Sequence, residues 1–424
     1  MKLHYPGTGK NLVVYIDFIL LKCDGKYYTE STHILFIKAL SQSFSKVTIC
    51  ARCEPSSQAL GLEINTDHLK IVELPFYENH VKLWLKLPFI LKRITKQIEK
   101  AIDRESVLWL CWPHPVSLSI ISKYYTKAPL FITIRQNMHN LVKLRYRNPE
   151  RFFGLAMVNW MEWILRLFFK RITIFTTGNE MYLKTRKHFQ NVFEIKTPVI
   201  STQQIGNSVS KKTDNVFSIL FVGRLAPEKG LTHLLDAMKH LVEQMISVRL
   251  DLVGSGPMHK QLSSYIAQND LGQQVHLHGH KAFGPELFSH YQNADCLILP
   301  SMSEGFPKVI NEARAFGLPI ITTNCGGISG EIRHGENGWI IESASSQSIA
   351  DAILELSQNK ALEEKLAAGA KADFGENNLE YWSNKMFKII SEQFQLMPNQ
   401  DKNIGENPAK SAQIKEQAFT PFFD

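Results

Sequence analysis

Two glutamates in one stretch of the chain have a spacing suited to the hydroxyl groups of a long polar ligand. Glu304 and Glu312 lie in LPSMSEGFPKVINEARAFG, residues 299–317, where an apolar run is followed by a short loop and a helical pattern from Pro307. Along a continuous helix their separation is about 12 Å. Carboxylate oxygens accept hydrogen bonds from vicinal hydroxyls, and a helix N-terminus favours phosphate. An ordinary surface helix can carry the same two glutamates, so the pair needs support from elsewhere.

Two cations at another strand end supply part of that support. In GRLAPEKG, residues 223–230, Arg224 directly follows an apolar run and Lys229 directly precedes a helical pattern. Arginine offers a bidentate fork and lysine a point charge, which together suit a diphosphate. Such pairs are common on loops, and alone this one does not identify a site.

Two glycine turns complete the set of unusual stretches. VGSGP, residues 253–257, and NCGGISGEIRHGENGW, residues 324–339, both follow apolar runs. Glycine lets a ligand approach the backbone closely, although a tight strand-to-helix turn explains VGSGP equally well. Neither stretch is the GxGxxG dinucleotide fingerprint, which argues against a nicotinamide cofactor.

The elements that position these stretches are alternating strands and helices. Apolar runs such as NLVVYIDFILL, SVLWLCW, FSILFVGRL and DCLILP alternate with helical patterns in both halves of the chain. This order predicts α/β domains, each a parallel sheet covered by helices on both faces. We expect two α/β halves of similar size.

Composition shifts predict the domain boundaries. The polar segment STQQIGNSVSKKTDN separates the halves, and the amphipathic pattern NNLEYWSNKMFKIISEQF follows the second half. The predicted units are a first α/β domain at 1–200, a linker at 201–215, a second α/β domain at 216–377, an amphipathic helix at 378–396, and a disordered polar tail at 397–424.

The overall composition is globular and basic. The chain has 424 residues, of which 44% are hydrophobic and 21% charged, and a net charge of +8. A basic balance suits anionic partners, but no nucleic-acid-binding module is recognisable and we expect no nucleic acid partner. The six cysteines are scattered, and the lone CxxC of Cys50 and Cys53 lacks the further ligands of a zinc site. The apolar run of residues 12–21 contains Asp17 and is too short to span a bilayer, so we expect a cytoplasmic protein.

In their order and spacing, the four stretches resemble the retaining glycosyltransferases of family 4, which have the GT-B fold of two Rossmann-like domains facing each other across a cleft. The resemblance implies that residues 1–200 form the acceptor-binding domain and residues 216–377 the nucleotide-sugar-binding domain. It also implies that the helix at 378–396 returns to the first domain. SEGFPKVINEA is similar to that family's SEGFP signature with its two glutamates, GRLAPEKG to its GR…EKG element, and VGSGP to its VGxGP turn. GGISGEIRHGENGW resembles its GG…E…NG element, with one extra residue and no proline before the glutamate. The resemblance is strong over residues 218–341.

The resemblance implies roles for residues of the second half. Arg224 and Lys229 would neutralise the leaving nucleoside diphosphate, Glu304 would hold hydroxyls of the transferred sugar, and Glu312 would hold the ribose. The nucleotide would also be bordered by Gly223, Gly256, His280, Lys281 and the backbone of Gly305, Phe306 and Val309. The donor would be a nucleotide sugar such as a UDP- or GDP-sugar, with no cofactor and no metal. The acceptor hydroxyl would attack on the leaving-group face, with retention of configuration.

The first half departs from the family. A glycine pair is expected after the first strand, but KCDGKYYTEST has only Gly25. A histidine is expected after a later strand, where FITIRQNMHN places Arg135, with His139 nearby. His114, in WPHP, is a further candidate for the acceptor or sugar side. A single histidine near a strand end is often structural, so these four residues form the less defined side of the site.

The resemblance suggests transfer to a glycan or lipid-linked acceptor in bacterial cell-surface polysaccharide or lipopolysaccharide synthesis. The alternative is a non-catalytic nucleotide-sugar-binding partner subunit. Residues 80–100 mix basic residues with Trp84 and other apolar residues, which suits an anionic membrane surface on the inner face of the cytoplasmic membrane. Residues 159–170, NWMEWILRLFFK, form a second aromatic stretch. For both stretches the ordinary alternative is a helix whose apolar face packs on the sheet.

Overall fold

The computed structural model describes residues 9–66, 68–77, 87–135, 137–145, 148–205, 216–304, 307–328 and 330–396. The predicted fold class is confirmed: two α/β domains each contain a largely parallel sheet. The tail at 397–424, residues 206–215 of the linker, and residues 80–86 of the basic stretch lie outside the described residues.

The first domain is built on a sheet whose central strands are continuous apolar runs. Its described strands run parallel in the order β5-β3-β1-β6-β7-β8-β9, and β2 and β4 extend the carboxyl end of β1 as antiparallel neighbours. The bounds are β1 Asn11–Cys23, β2 Lys26–Thr29, β3 Lys46–Pro55, β4 Leu62–Ile64, β5 Leu69–Leu74, β6 Ser106–Trp112, β7 Leu130–Ile134, β8 Thr173–Thr177 and β9 Val192–Ile195.

Helices cover this sheet. They are α1 His33–Ser41, α2 Leu87–Glu99, α3 Pro115–Tyr124, α4 Met138–Arg145, α5 Glu150–Phe168 and α6 Asn179–Arg186. In the basic stretch, Ile94 and Ile98 of α2 are fully buried in the core, whereas Lys92, Arg93 and Lys96 are exposed. The apolar face of α2 is therefore directed to the sheet.

The second domain has a six-stranded parallel sheet in the order β12-β11-β10-β13-β14-β15. Its strands are β10 Phe217–Val222, β11 Val248–Val253, β12 Val275–Gly279, β13 Cys296–Leu299, β14 Ile320–Thr323 and β15 Trp339–Ile341. Its helices are α7 Leu231–Glu243, α8 His259–Gln268, α9 Pro285–Asn293, α10 Lys308–Ala315, α11 Ser346–Gln358 and α12 Lys360–Phe374.

Both sheets change direction beside their first strand. In the second domain the chain builds outward through β11 and β12, then returns to place β13 on the other side of β10. In the first domain β6 returns in the same way beside β1. The loops leaving the two strands at such a switch point diverge and open a crevice, which is where open α/β sheets bind ligands.

A final helix joins the two domains. In α13, Leu379–Phe394, the side chains of Trp382, Met386 and Phe387 pack in the hydrophobic core of the first domain. The backbone N–H of Leu379 donates to the carbonyl of Ile200 at 3.0 Å, at the junction between the domains. Close by, Lys196 forms an ion pair of 2.6 Å with Glu331 of the second domain.

Candidate functional site

The switch point of the second sheet brings the predicted cations and one predicted carboxylate together. Arg224 leaves β10 at Gly223, and the loop after β13 carries Glu304. Because β10 and β13 are neighbours in the sheet, their carboxyl ends lie side by side. A short 3-10 turn, Pro227–Lys229, then directs Lys229 across to the second loop. Residues that are 75 positions apart in sequence thus meet in one crevice.

Lys229 and Glu304 form an ion pair at the centre of this crevice. Lys229 Nζ lies 2.5 Å from Glu304 Oε1, and the hydroxyl of Ser301 donates to the same oxygen at 2.7 Å. The exposed fractions of the two charged side chains are 16% and 8%. Arg224 is exposed and has no ion pair among the described residues. The crevice therefore offers one free cation and one cation already held by a carboxylate.

Glycines are required where the motif loops pack against each other. Gly230 has φ +68°, and a Cβ there would lie 2.2 Å from the carbonyl oxygen of Pro300. Gly326 has φ +52°, and its Cβ would lie 2.0 Å from the carbonyl oxygen of Glu304. Both conformations are left-handed, which only glycine adopts freely. These contacts set the position of the loop that carries Glu304.

Gly256 serves the same packing. A Cβ at Gly256 would lie 2.3 Å from the carbonyl oxygen of Leu225, and the N–H of Leu225 donates to Ser255. Gly223 donates its N–H to Val253 at 3.0 Å. The space freed by Gly256 is thus filled by the Arg224-bearing loop, as in the tight-turn interpretation of VGSGP, and a place for Gly256 beside the nucleotide stays a prediction.

The second predicted carboxylate, Glu312, is buried on α10. Its Oε2 accepts a hydrogen bond of 2.6 Å from the hydroxyl of Tyr291, and only 6% of the residue is exposed. Burial raises the pKa of Glu312, whereas the Tyr291 hydrogen bond and the nearby Lys308 oppose that rise. Tyr291, which sequence reasoning missed, stacks on Phe316 and fixes the carboxylate. Only a ligand group that enters the crevice deeply can reach Glu312.

Cations from both domains meet beside Glu312. Lys308, the first residue of α10, donates from Nζ to the hydroxyl of Thr32 in the first domain at 2.6 Å. Burial, then the proximity of Arg135, lowers the pKa of Lys308 to about 8, opposed by Glu312. Burial also lowers the pKa of Arg135, and Arg135 and Lys308 both act, after burial, to lower the pKa of His33. Arg135 was predicted to line the cleft. Lys308, Thr32 and His33 were given no role, although Lys308 lies in SEGFPKVINEA, because the contact of Lys308 with Thr32 is made between the two domains.

His114 is held in a buried network at the switch point of the first sheet. Its Nδ1 accepts from the backbone N–H of Val116 at 3.2 Å and caps α3. Its Nε2 is 2.9 Å from the hydroxyl of Tyr77, which donates to Asp17 at 2.6 Å, and Arg52 Nε lies 2.8 Å from Asp17. These contacts are consistent with a neutral imidazole that donates from Nε2. His114 is 1% exposed, so the structure gives it a structural role, and its contact with a sugar or acceptor stays a prediction.

His139 lies in a pocket of the first domain. The pocket lies at the carboxyl ends of β6 and β7, and Trp112, Ile134, His139, Glu162 and Arg166 are among its lining residues. His139 Nε2 is 2.7 Å from Asn159 Oδ1, and its Nδ1 is 3.7 Å from Glu162. The pocket lies at the same edge of the sheet as Arg135.

Gly25 takes a different position from the one the family pattern suggests. It lies with Asp24 in the tight turn between β1 and β2, with φ +79°. The glycine loop of the family resemblance is followed by a helix, whereas here a β-hairpin intervenes before α1.

The remaining predicted donor residues border the second domain. Lys281 forms an ion pair with Glu286 at the start of α9, and His280 is exposed after β12. Val309 is half-buried and packs against the domain core. Gly305 and Phe306 lie outside the described residues. The structure thus brings Arg224, Lys229 and Glu304 to the carboxyl ends of β10 and β13, whereas Glu312 is buried on α10 against Tyr291.

Comparison with protein families identifies the segment that carries this crevice. Residues 198–373 match the model of the glycosyl transferases group 1 family. This segment is a group 1 glycosyltransferase domain. It contains Arg224, Lys229, Glu304 and Glu312, whereas Arg135 and His139 lie before it.

Curated relatives of this glycosyltransferase domain match part of the chain. An uncharacterised glycosyltransferase of Methanocaldococcus jannaschii is 32% identical over 213 residues, 49% of this chain and 57% of that protein. The amylovoran biosynthesis glycosyltransferase AmsK of Erwinia amylovora is 34% identical over 163 residues, 37% of this chain and 40% of that protein. The chain therefore spans less than two thirds of the length of either relative.

Solved structures extend the likeness to both domains. Anabaena HepE, solved in complex with UDP, has a TM-score of 0.66 at 16% identity, covering 92% of this chain and all of that one. WaaG, a glycosyltransferase involved in lipopolysaccharide biosynthesis, has a TM-score of 0.62 at 14% identity, covering 90% of this chain and 99% of that one. These likenesses confirm the two-domain GT-B fold.

Proposed function

We propose that the protein is a retaining glycosyltransferase that moves a sugar from a nucleotide-sugar donor to a glycan or lipid-linked acceptor. The observation that carries this proposal is the meeting of Arg224, Lys229 and Glu304 at the switch point of a group 1 domain. A cation pair and a carboxylate at one crevice match the two ends of a sugar diphosphate, since one end is anionic and the other carries hydroxyls.

In this proposal the donor diphosphate lies between Arg224 and Lys229. The cations stabilise the charge that develops on the leaving diphosphate, which is the role that a metal ion has in other transferases. Glu304 accepts hydrogen bonds from hydroxyls of the transferred sugar, and Glu312 holds the ribose after Tyr291 has positioned it. We infer that neither a metal nor a cofactor takes part.

The chemical step is substitution at the anomeric carbon. The bond from that carbon to the diphosphate oxygen breaks, and a bond to the acceptor hydroxyl oxygen forms on the same face. The acceptor proton passes to an oxygen of the departing diphosphate, so the configuration is retained. No carboxylate is required as nucleophile, which separates this role of Glu304 from that of a glycosidase acid.

The acceptor side of the proposal rests on the first domain. The pocket beside His139 and the cation Arg135 both lie at the carboxyl edge of its sheet. A glycan acceptor in cell-surface polysaccharide synthesis is supported by AmsK of Erwinia amylovora, which is named for amylovoran biosynthesis. The basic side chains of α2 are exposed, which supports contact of residues 80–100 with an anionic membrane surface on the cytoplasmic side. Among the described helices, none has the length and apolar character of a membrane-spanning helix.

A thermal-shift panel of UDP, GDP, ADP and their sugars tests the donor class, because a ligand that binds only the folded state raises its stability. Donor hydrolysis and transfer are then measured with wild type, Glu304→Ala and Arg224→Ala. We expect both variants to lose at least about 100-fold in rate, as removal of one group that stabilises developing charge does. Wild-type rates in both variants would refute the site assignment. Binding of a nucleotide sugar without turnover on a broad acceptor panel would instead favour a non-catalytic partner subunit.

A further inference from the structure

The cleft contains a second group of cations, separate from the pair at the diphosphate position. Arg135 leaves β7 of the first domain, and Lys308 begins α10 of the second. The hydrogen bond of 2.6 Å from Lys308 to Thr32 brings the two domains into contact at this point. Within the described ranges, Arg135 has neither an ion pair nor a hydrogen bond.

Ring contacts place Arg135 close to His33. The ring of His33 meets the edge of Trp109 at 5.7 Å, and Trp109 Nε1 donates to the hydroxyl of Thr133 at 3.1 Å. Arg135 directly follows the last residue of β7, and its charge is one of the two that lower the pKa of the buried His33. His33 is 1% exposed, and neither ring nitrogen has a hydrogen-bond partner. A buried polar group without a partner is costly, which indicates that a partner arrives with a ligand.

The charges at this place do not balance. Lys308 faces a single carboxylate, Glu312, whose Oε2 is already bonded to Tyr291. No carboxylate of the described residues pairs with Arg135. Two cations held close together repel each other, and a negatively charged ligand group between them removes that repulsion. In the proposed function, the diphosphate of a donor has its own cations, Arg224 and Lys229.

We infer that the cleft binds a second acidic group, a carboxylate or a phosphate, held by Arg135 and Lys308 and reached by His33. The inference rests on the proposed function and narrows its substrate class. The transferred sugar or the acceptor glycan is acidic, as a hexuronic acid or a sugar phosphate is. Arg135 forms the bidentate contact, and Lys308 adds the point charge from the opposite domain.

Calorimetric titration with matched pairs of probes tests this inference. The donor arm compares UDP-glucuronate with UDP-glucose, GDP-mannuronate with GDP-mannose, and UDP and GDP alone. The acceptor arm titrates methyl glucuronide, glucose 6-phosphate and methyl glucoside into enzyme saturated with the diphosphate. In one arm we expect the acidic probe to bind roughly 10- to 100-fold more tightly than the neutral one, the range for a charged hydrogen bond.

Arg135→Gln should remove the preference for the acidic probe and leave the affinity for UDP or GDP unchanged. The control is Arg249→Gln, at a half-buried arginine of β11, which should keep the preference. Arg135→Lys keeps the charge and should retain part of the preference, which separates recognition from a folding defect. Equal binding of acidic and neutral probes in both arms would overturn the inference. So would an equal loss of affinity for UDP or GDP alone in Arg135→Gln, since Arg135 would then belong to the diphosphate site. Absence of any nucleotide binding to wild type would overturn the proposed function together with this inference.

A different observation carries a second inference, about the surface of the first domain. Helix α5 buries one face, with Val158, Met161 and Leu165 in or near the core. The opposite face of α5 is exposed and aromatic. Within each face the residues recur every three or four positions, as they do along one side of a helix. The exposed large side chains are Phe152 (78%), Phe153 (45%), Trp160 (47%), Trp163 (59%), Leu167 (48%) and Phe168 (63%). A contiguous apolar surface of this kind marks an interaction site.

The charge around α5 identifies the partner. Residues 143–188 contain ten Lys and Arg and three Glu, which gives this segment a net charge of +7. The net charge of the whole chain is +8, so most of it lies in this segment. Arg151, Lys170 and Arg171 are exposed at the two ends of the helix. Aromatic side chains flanked by exposed cations match the interface of an anionic bilayer, where rings enter the headgroup region and cations meet lipid phosphates.

The same helix lines the pocket of His139. Glu162, Leu165 and Arg166 of α5 face that pocket, while Trp160 and Trp163 face solvent. A bilayer that receives the aromatic face is therefore one helix diameter away from the pocket, about 10 Å. We propose that the exposed face of α5, residues 150–168, docks on an anionic lipid surface and that this places the pocket beside the headgroups.

Vesicle co-sedimentation of the full chain tests this docking. Vesicles of phosphatidylcholine alone are compared with an equimolar mixture of phosphatidylcholine and phosphatidylglycerol. We expect binding to the mixed vesicles only, and a loss of about fivefold for each basic residue replaced in Lys170→Glu and Arg171→Glu. The double variant Trp160→Ser and Trp163→Ser should abolish binding, whereas Met245→Ser, at a side chain that is 92% exposed in the second domain, should not.

Three outcomes would overturn the docking proposal. One is equal binding of wild type and the double tryptophan variant. Another is loss of binding only when Lys92, Arg93 and Lys96 of α2 are replaced by glutamate. A third is a dimer in sedimentation velocity that the tryptophan variant dissociates while vesicle binding persists, since the face would then bind a second copy of the chain.

Discussion

Replacing Glu304 with glutamine should separate the binding of the diphosphate from the binding of the sugar. In the structure Lys229 is paired with Glu304 at 2.5 Å, so the lysine is shared between that carboxylate and an incoming phosphate. Glutamine keeps the size and an acceptor for Ser301 but removes the charge. Lys229 then becomes fully available to the diphosphate, while the hydroxyls of the transferred sugar lose a charged acceptor.

The expected magnitude follows from the burial of the pair. At an effective dielectric constant of about 20 and roughly 4 Å between charge centres, the attraction is about 4 kcal/mol. The two side chains are 16% and 8% exposed, so desolvation and residual solvent screening reduce the net coupling to about 1–3 kcal/mol. UDP or GDP alone should therefore bind Glu304→Gln no more weakly than wild type, and up to roughly 100-fold more tightly. The sugar nucleotide should lose about 1.5–3 kcal/mol of hydroxyl recognition relative to its diphosphate.

Calorimetric titration of the diphosphate and of its sugar form measures both quantities on one protein sample. The ratio of the two dissociation constants is the readout, because a general loss of folded protein cancels in it. Glu363→Gln, which breaks the exposed ion pair of Lys360 and Glu363, is the matched control and should leave the ratio unchanged. If Glu304→Gln weakened the diphosphate and the sugar nucleotide by the same factor, the division of roles between Lys229 and Glu304 would be wrong.

Three further predictions concern the loops and charges around the crevice. In Gly326→Ala the new Cβ would lie 2.0 Å from the carbonyl oxygen of Glu304. The substitution should lower the free energy of unfolding by more than about 1 kcal/mol, and it should also lower the transfer rate because Glu304 is displaced. An unchanged transfer rate would contradict the packing argument. Arg314→Met leaves Glu331 and Asp373 without their fully buried partner. It should lower the free energy of unfolding, measured with urea, by about 3–5 kcal/mol. A decrease below about 1 kcal/mol would show that the ion-pair network relaxes around the substitution. Because the pKa of Lys308 is lowered to about 8 from 10.5, its charge should be lost above pH 8 in the folded state; binding of the acidic probe should then weaken as pH rises through 8. The free energy of unfolding should rise between pH 8 and 10.5, since the unfolded chain binds the Lys308 proton more tightly than the folded chain does there. Lys308→Met should remove both the weakening of probe binding and this rise in stability. A Lys308→Met variant with the same pH profiles as wild type would refute the assignment of these effects to Lys308.

The second domain was largely predictable because its site residues sit at positions where local chemistry and topology agree. Arg224, Lys229 and Glu304 each follow an apolar strand, and parallel strands bring such positions to one edge. The sequence indicated that edge through the alternation of strands and helices. The glycines were predicted as sites of close approach, but the approaching group at Gly256 is the backbone of Leu225. Sequence alone does not distinguish a ligand from a neighbouring loop.

The first domain was less predictable because its polar residues are paired through tertiary contacts. His114 reads as a candidate ligand at a strand end, yet it caps α3 and joins Tyr77, Asp17 and Arg52 across the sheet. Those partners are 37, 97 and 62 positions away in sequence and share no motif. The hairpin after β1, which places Gly25 in a turn, was also missed, since its short strands have only weak apolar alternation.

The contact between Lys308 and Thr32 suggests how the two halves of the cleft are coupled. Lys308 follows the loop of Glu304 and begins the helix of Glu312, so a movement of α10 on donor binding would reach the first domain through Thr32 and the start of α1. The proximity of Arg135 lowers the pKa of Lys308 further than burial alone does. An anion bound between these two cations would offset their repulsion, and it would offer a hydrogen-bond partner to the buried ring of His33. A group 1 domain that grips the donor would in this way sense, through Lys308, whether the acidic group has been delivered.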